Sequence, residues 1–171
     1  MHSPAPPPPG LPDLSGKPDA YPVSDVAAYL AGEWTVERAL SDLASEAGGS
    51  FRGTAVFEAS GDGRLLHTEN GELCWDGTTG RAGRTLVLLP RADGTCDVTF
   101  ADGRFFHDLD LRTGSWTVSH PCAADRYEGM FTAVSHDAWT VHWRTTGPSK
   151  DHLQRSVYRR VSPASRATPT V

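Results

Sequence analysis

The 171-residue chain holds few cysteines, few methionines and almost no lysine. Its three cysteines, Cys74, Cys96 and Cys122, are too few and too oddly numbered for a disulfide scaffold, and without a Cys-x-x-Cys pair a zinc ribbon is excluded. That usage fits a cytoplasmic chain with reduced thiols. Long apolar runs are absent, so no helical membrane span is expected. The N-terminus also lacks the basic start and apolar stretch of a secretory signal. Positive charge is in deficit, with a net charge of −5 at pH 7, which argues against nucleic acid as the partner. Of the 16 basic residues only Lys17 and Lys150 are lysine, a bias that reflects GC-rich coding more than function.

Hydrophobic residues are also scarce, at 38%. The mean hydropathy is −0.39. The shortfall is uneven. Eight of the 13 prolines fall in the first 22 residues, where Pro6 to Pro9 form an uninterrupted run. Polyproline geometry is extended and has no internal hydrogen bonds. Residues 1–22 are therefore expected to be a disordered leader, with a docking peptide for a proline-reading domain as the minor alternative. The Ser-, Pro-, Ala- and Thr-rich end, 162–171, is expected to be a disordered tail. Residues 23–161 remain as one domain, enough for a sizeable core.

Within that domain one helix is expected, over Val23–Ala31, capped by Ser24 and stopped by Gly32. Everything after it alternates with the period of strands. Trp34, Val36, Arg38 and Leu40 share a face, as do Phe51, Gly53, Ala55 and Phe57. The rhythm continues over about 64–73, 83–90, 94–101, 104–111, 114–120, 125–134, 138–146 and 150–161. Asp-Gly recurs at 62–63, 76–77, 93–94 and 102–103, supplying the positive φ of tight hairpin turns. Short strands, tight turns and no crossover helices predict an all-β fold: an up-and-down antiparallel β-barrel of about eight to ten strands with one short N-terminal helix. A two-sheet sandwich would need longer connections than the sequence offers.

Several polar residues lie in phase with the apolar, inward face. Arg38 goes with Trp34 and Val36; His67 and Glu69 with Leu65; His107 with Phe105, Leu109 and Leu111; His120 with Trp116 and Val118; Asp125 and Tyr127 with Gly129 and Phe131. Buried polar groups cost free energy unless paired. They either satisfy one another or face a wet ligand cavity, and one bulge would invert a face. Candidate ligand-binding residues are Arg38, His67, Glu69, His107, His120 and Tyr127, with Trp34, Trp116 and Trp139 in an apolar wall alongside Phe51, Phe57 and Phe131.

The same set carries the candidate catalytic groups. His107 or His120 can act as a base, Asp125 or Glu69 can orient its ring, Tyr127 can donate to a developing oxyanion, and Arg38 can hold an anionic group. Cys122, two residues after His120, is a candidate thiolate nucleophile or a plain small residue, and Pro121 between them disturbs the strand geometry. His67, Glu69, His107 and His120 could hold a metal, but the spacing lacks a cupin-like His-x-His, so none is expected. No cofactor is expected either, with haem on one of these histidines as the minor alternative.

Gly32-Glu33-Trp34 after a short helix resembles the Gly-x-Trp start of the calycin superfamily, the lipocalins and fatty-acid-binding proteins. The resemblance implies a tryptophan that plugs one barrel end beneath a basic residue of the last strand, here Arg155 or Arg159, by cation–π stacking. Three further stretches resemble the domain of unknown function 6314 family across nearly the whole folded region. They are Ala101 to Asp110 (ADGRFFHDLD), His120 to Gly129 (HPCAADRYEG) and Trp143 to Asp151, together with Arg38 and Glu69-Asn70-Gly71-Glu72. That likeness implies a calycin-like barrel and supplies no known activity. Arg104, Phe106, His107, His120, Cys122, Asp125, Tyr127, Lys150 and Tyr158 match the family pattern. Arg104 and Asp108, on the opposite face from His107, read as a surface salt bridge, and Lys150 as a rim residue.

The primary expectation is small-molecule binding inside the barrel, the ligand partly apolar or aromatic with an acidic or hydroxyl group. The alternative is a cofactor-independent acid–base enzyme in the same cavity: an isomerase, cyclase or decarboxylase. A third possibility is an interaction module whose polar cluster only fixes strand register. Neither nucleic acid nor membrane is an expected partner, and the oligomeric state is not encoded in these patterns.

Overall fold

The computed structural model describes residues 19–163. The helix α1 (Val26–Leu30) precedes β1 (Gly32–Asp42), β2 (Gly48–Ala59), β3 (Leu65–Trp75), β4 (Thr78–Pro90) and β5 (Cys96–Phe100). There follow β6 (Phe105–Leu109), β7 (Ser115–Cys122), β8 (Asp125–Ser135), β9 (Ala138–Gly147) and β10 (Lys150–Arg160). They form one antiparallel sheet in the order β6-β5-β4-β3-β2-β1-β10-β9-β8-β7. Pairing of β1 with β10 rolls the meander into a barrel, leaving a single seam between β6 and β7 that no ladder crosses. One side-chain bond spans the seam: Trp116 Nε1 donates to Asp108 Oδ1 at 3.3 Å. The all-β barrel expectation therefore holds, with no sandwich.

Three of the predicted Asp-Gly turns share one construction. In each, the glycine N–H closes a tight turn, and the aspartate carboxylate takes the N–H two residues on: Arg64 to Asp62, Thr95 to Asp93 and Arg104 to Asp102. The glycines at 63, 94 and 103 have φ between 82° and 87°, which residues with a Cβ rarely adopt. At Gly94 space matters too, because a Cβ there would lie 1.9 Å from the Ser24 carbonyl oxygen.

The floor of the barrel is closed by the segment entering β1. Backbone bonds run from Tyr21 N to Ala133 O, Val23 N to Leu111 O and Val26 N to Gly94 O. Residues 19–22, expected in the disordered leader, are thus seated on the barrel; residues 1–18 and 164–171 of the expected leader and tail lie outside the described residues. The helix is shorter than predicted, and its cap is Asp25, whose Oδ1 accepts from Ala28 N at 3.0 Å, instead of Ser24. Gly32 stops it as expected, at φ +116°.

Trp34 is fully buried over this floor and donates Nε1 to Leu30 O at 2.8 Å. The basic cover is Arg160, where Arg155 or Arg159 was expected. Register pairs Trp34 with Arg160, and its guanidinium carbon lies 4.1 Å from the indole centroid. The two expected arginines fall on the other phase of the strand, where Arg155 and Arg159 are exposed. Arg160 also donates to the helix-end carbonyls of Tyr29 and Ala31 at 2.7 and 3.1 Å, so one side chain ties helix, plug and last strand together.

Candidate functional site

Midway up the barrel, Glu69 is only 1% exposed and is held by two arginines. Arg84 is its direct cross-strand partner and grips it with two bonds, Nε to Oε2 and Nη2 to Oε1, both 3.0 Å. Arg38 reaches from β1 across Gly53 and Ala55 of β2 and donates Nη2 to Oε2 at 2.9 Å. Its Nε donates to Ser156 Oγ at 2.8 Å, and the Tyr158 hydroxyl donates to Glu69 Oε1. Burial alone would raise the Glu69 carboxyl; the Arg84 and Arg38 guanidiniums, with the His67 ring close by, outweigh it and hold the group well below the usual carboxylate range. Burial lifts Tyr158 to about 12, with the Glu69 charge adding to it, so the phenol stays neutral. The neighbouring His67 is lowered by burial, against the attraction of Glu69, and is neutral as well.

Two guanidiniums and one carboxylate leave this cluster one positive charge in excess. Among the described residues, the ion-pair contacts of Arg38 and Arg84 reach only Glu69. The Arg84 side chain keeps 35% of its surface exposed, whereas that of Arg38 keeps 9%. The excess charge therefore meets solvent at Arg84.

Below Arg84 lies a small cavity of about 40 Å³, room for one or two waters, whose wall includes His67, His107, Trp139 and Tyr158. His67 stacks on Phe57 at 4.1 Å, and Tyr158 stacks on Trp139 at 3.7 Å. His67 Nε2 comes within 3.3 Å of Glu69 Oε1 without the alignment of a hydrogen bond, and Trp139 Nε1 also has no hydrogen-bond partner among the described residues. His107 Nδ1 lies 2.7 Å from the Asp108 carbonyl, which can only accept, so Nδ1 carries the proton. Burial pushes this imidazole down to about 4.

Above Arg84 the barrel opens into a mouth cavity of about 430 Å³. Phe100, Phe106, Tyr127 and Trp143 form its aromatic wall, with His120, Cys122, Thr145 and Gln154 as polar lining and Arg104 at the rim. A bulge creates part of this wall. Val98 pairs with His107 and Thr99 with Phe105, so Phe106 is skipped in the ladder and lies beside the His107 ring, 4.8 Å away. Phe105, expected inward, is instead 57% exposed at the rim. Gly129 lets the Trp143 ring lie against the wall, since a Cβ there would sit 2.8 Å from the indole.

The candidate residues thus separate by height. Trp34 is a floor plug away from both cavities, and Trp116 sits at the β6–β7 seam. Trp139, His67 and His107 line the small lower cavity, Arg38 and Glu69 form the charge cluster, and His120 and Tyr127 line the mouth. The predicted wall residues Phe57 and Phe131 line the void, not the mouth, and Phe51 lies over the Arg38 guanidinium at 5.1 Å. Phe106 stands between the two histidines, its ring 4.8 Å from His107 and 5.4 Å from His120. Asp125 orients neither; its carboxylate pairs with Lys150 Nζ at 2.6 Å. Cys122 is exposed on the mouth wall. Among the described residues no group of three or more His, Cys, Asp or Glu is placed to hold a metal ion. The surface bridge expected of Arg104 and Asp108 is not formed: Arg104 pairs with Asp102, and Asp108 takes Trp116.

Sequence reasoning missed Arg84, Phe100, Trp143 and Gln154 as lining. Arg84 had a readable signal, since it lies in phase with Leu86 and Leu88. Alternation gave no signal for Phe106, which only the family pattern picked out, because its inward position depends on the bulge.

A family model described as a family of unknown function, DUF6314, matches residues 30–160. No curated protein matches the chain. Among solved structures, the S-type phycobiliprotein lyase CPES from Guillardia theta superposes with a TM-score of 0.58 at 9% identity, covering 80% of this chain and 90% of that one. At that identity the likeness speaks for the barrel fold alone. A fluorogen-bound barrel (EF1p2_mFAP2b with DFHBI) matches at a TM-score of 0.45 and 12% identity, over 81% of this chain and 98% of that one. The odorant-binding protein OBP1 matches at 0.37 and 13% identity, over 84% of this chain and 81% of that one.

Proposed function

The chain belongs to the DUF6314 family, whose function is unknown, and from that premise we propose that it binds small aromatic anions in the barrel mouth. The observation that carries this reading is Arg84. It is the more exposed arginine of a cluster that holds one positive charge in excess, and it faces a 430 Å³ cavity walled by aromatic rings. That volume lies within the range that drug-sized ligands fill. A carboxylate at Arg84 would neutralise the excess charge where the surrounding dielectric is low, and the ligand ring would pack against Phe100, Phe106, Tyr127 and Trp143. The cavity below, at about 40 Å³, has room only for water.

Two observations favour binding over the acid–base enzyme. His107 is held neutral by burial beside the small lower cavity, with its Nδ1 proton committed to a backbone carbonyl. Phe106 packs against both His107 and His120, and His107 is not among the residues that line the mouth with His120 and Tyr127, so it is not placed to share a substrate there with Tyr127. The test is a titration with indole-3-propionate followed by thermal shift and calorimetry. Binding stabilises the folded state by mass action, and Phe106→Ala is expected to weaken it about tenfold through lost stacking and area. Absence of any shift across a panel of aromatic carboxylates, or an affinity indifferent to Phe106→Ala, overturns this reading.

A further inference from the structure

The mouth is not one chamber. Beside the aromatic cavity lies a second of about 230 Å³, lined by Leu40, Phe51, Leu73 and Ala82 with Gly83 at its edge and the Arg38–Glu69 pair beneath. The two chambers share two lining residues, Arg84 and Gln154. Their chemistries differ. The larger is walled by aromatic rings, whereas the smaller presents mainly aliphatic side chains and one phenyl ring already covered by Arg38 at 5.1 Å. Both shared residues are polar. Arg84 is the more exposed arginine of the positively charged cluster, and the Gln154 side-chain amide makes no hydrogen bond among the described residues. An amide offers a donor and an acceptor at the same point, as another amide would require.

A ligand with a single arm would leave one chamber filled with water against apolar walls. We propose that the mouth takes a two-armed anion of the N-acylated aromatic amino acid class. Its carboxylate meets Arg84, its amide meets Gln154, its aromatic arm enters the larger chamber and its acyl arm the smaller. The branching of such a molecule suits the layout of the site: one carbon bears the carboxylate, the amide and the aromatic arm, and the acyl arm extends from the amide. This inference rests on the aromatic-anion reading above and goes further by fixing the second arm.

The experiment compares N-hexanoyl-L-tryptophan with indole-3-propionate by calorimetry on the full chain. The acylated probe is expected to bind at least tenfold more tightly, since its second arm buries several methylenes. Leu73→Trp fills the smaller chamber and is expected to bring the ratio of the two affinities close to one. Ala82→Leu, a milder filling on the neighbouring strand, should lower the ratio partway and guards against a Leu73 variant that folds poorly. A ratio near one on the unaltered protein, or a ratio that neither substitution changes, overturns the two-armed proposal while leaving the aromatic anion site intact. Failure of both probes to bind overturns the underlying reading as well.

Discussion

The floor and the mouth of this barrel are made by the same strands with the same alternation, yet they are finished in opposite ways. At the floor, Trp34 is hydrogen-bonded to Leu30 and covered by Arg160, and Tyr29 donates its hydroxyl to Ser135 and Ala138. At the mouth, Gln154, Cys122 and Tyr127 make no side-chain hydrogen bonds among the described residues, and the wall encloses open volume. Glu69 and its arginines lie between the two, a charged layer that seals the apolar floor from the wet mouth. The difference teaches that polar residues in phase with a barrel core differ by height: at mid-height they satisfy one another, and at the mouth Gln154, Cys122 and Tyr127 are left without side-chain hydrogen bonds among the described residues.

The largest expected effect breaks the sealed half. Glu69→Gln leaves two guanidiniums in the cluster without a counter-charge, and chemical denaturation should show a loss of about 3–5 kcal/mol. A loss below about 1 kcal/mol would mean that the cluster is solvated and the seal does not exist. Acid should act on the same half. The His107 imidazole titrates at about 4 in the fold and near 6.5 in the unfolded chain. Between those values the unfolded state binds more protons, so stability is full above pH 6.5 and falls as pH drops towards 4, by roughly 3 kcal/mol at most. Glu69, held low, adds to the loss once pH falls below its unfolded value. Urea midpoints measured from pH 7 to 4 check this, and His107→Gln should flatten the slope.

A smaller effect is expected at the plug. Arg160→Met keeps much of the apolar stem over Trp34 but removes the cation and its bonds to the helix-end carbonyls, costing about 1–2 kcal/mol in thermal unfolding. The smallest stability effects belong to the mouth. Tyr127→Phe and His120→Gln should each change stability by no more than about 0.5 kcal/mol. If they cost as much as Glu69→Gln, the contrast between the two halves is lost.

Period-two alternation and the Asp-Gly turns made the ten strands readable in the sequence, because both report on backbone geometry that local residue types dictate. The Gly-x-Trp plug was readable for the same reason, although its partner was displaced by one residue: only the register of β1 against β10 sets Arg160 beside Trp34. The division of the polar set between void, cluster and mouth was not readable. It depends on height along each strand relative to its neighbours, which cross-strand register decides and alternation does not. Phe106 shows the limit most clearly, since a single skipped residue in the β5–β6 ladder brings it between two histidines.

The central claim is that the uncompensated positive charge at Arg84 makes the mouth select anions. A comparison of indole-3-propionate with its neutral amide, indole-3-propionamide, by calorimetry at pH 7 and low salt tests it without altering the protein. The two ligands have nearly the same shape and differ in charge. The acid should bind at least tenfold more tightly, with the advantage shrinking as salt is raised. Equal affinity for acid and amide would contradict the claim.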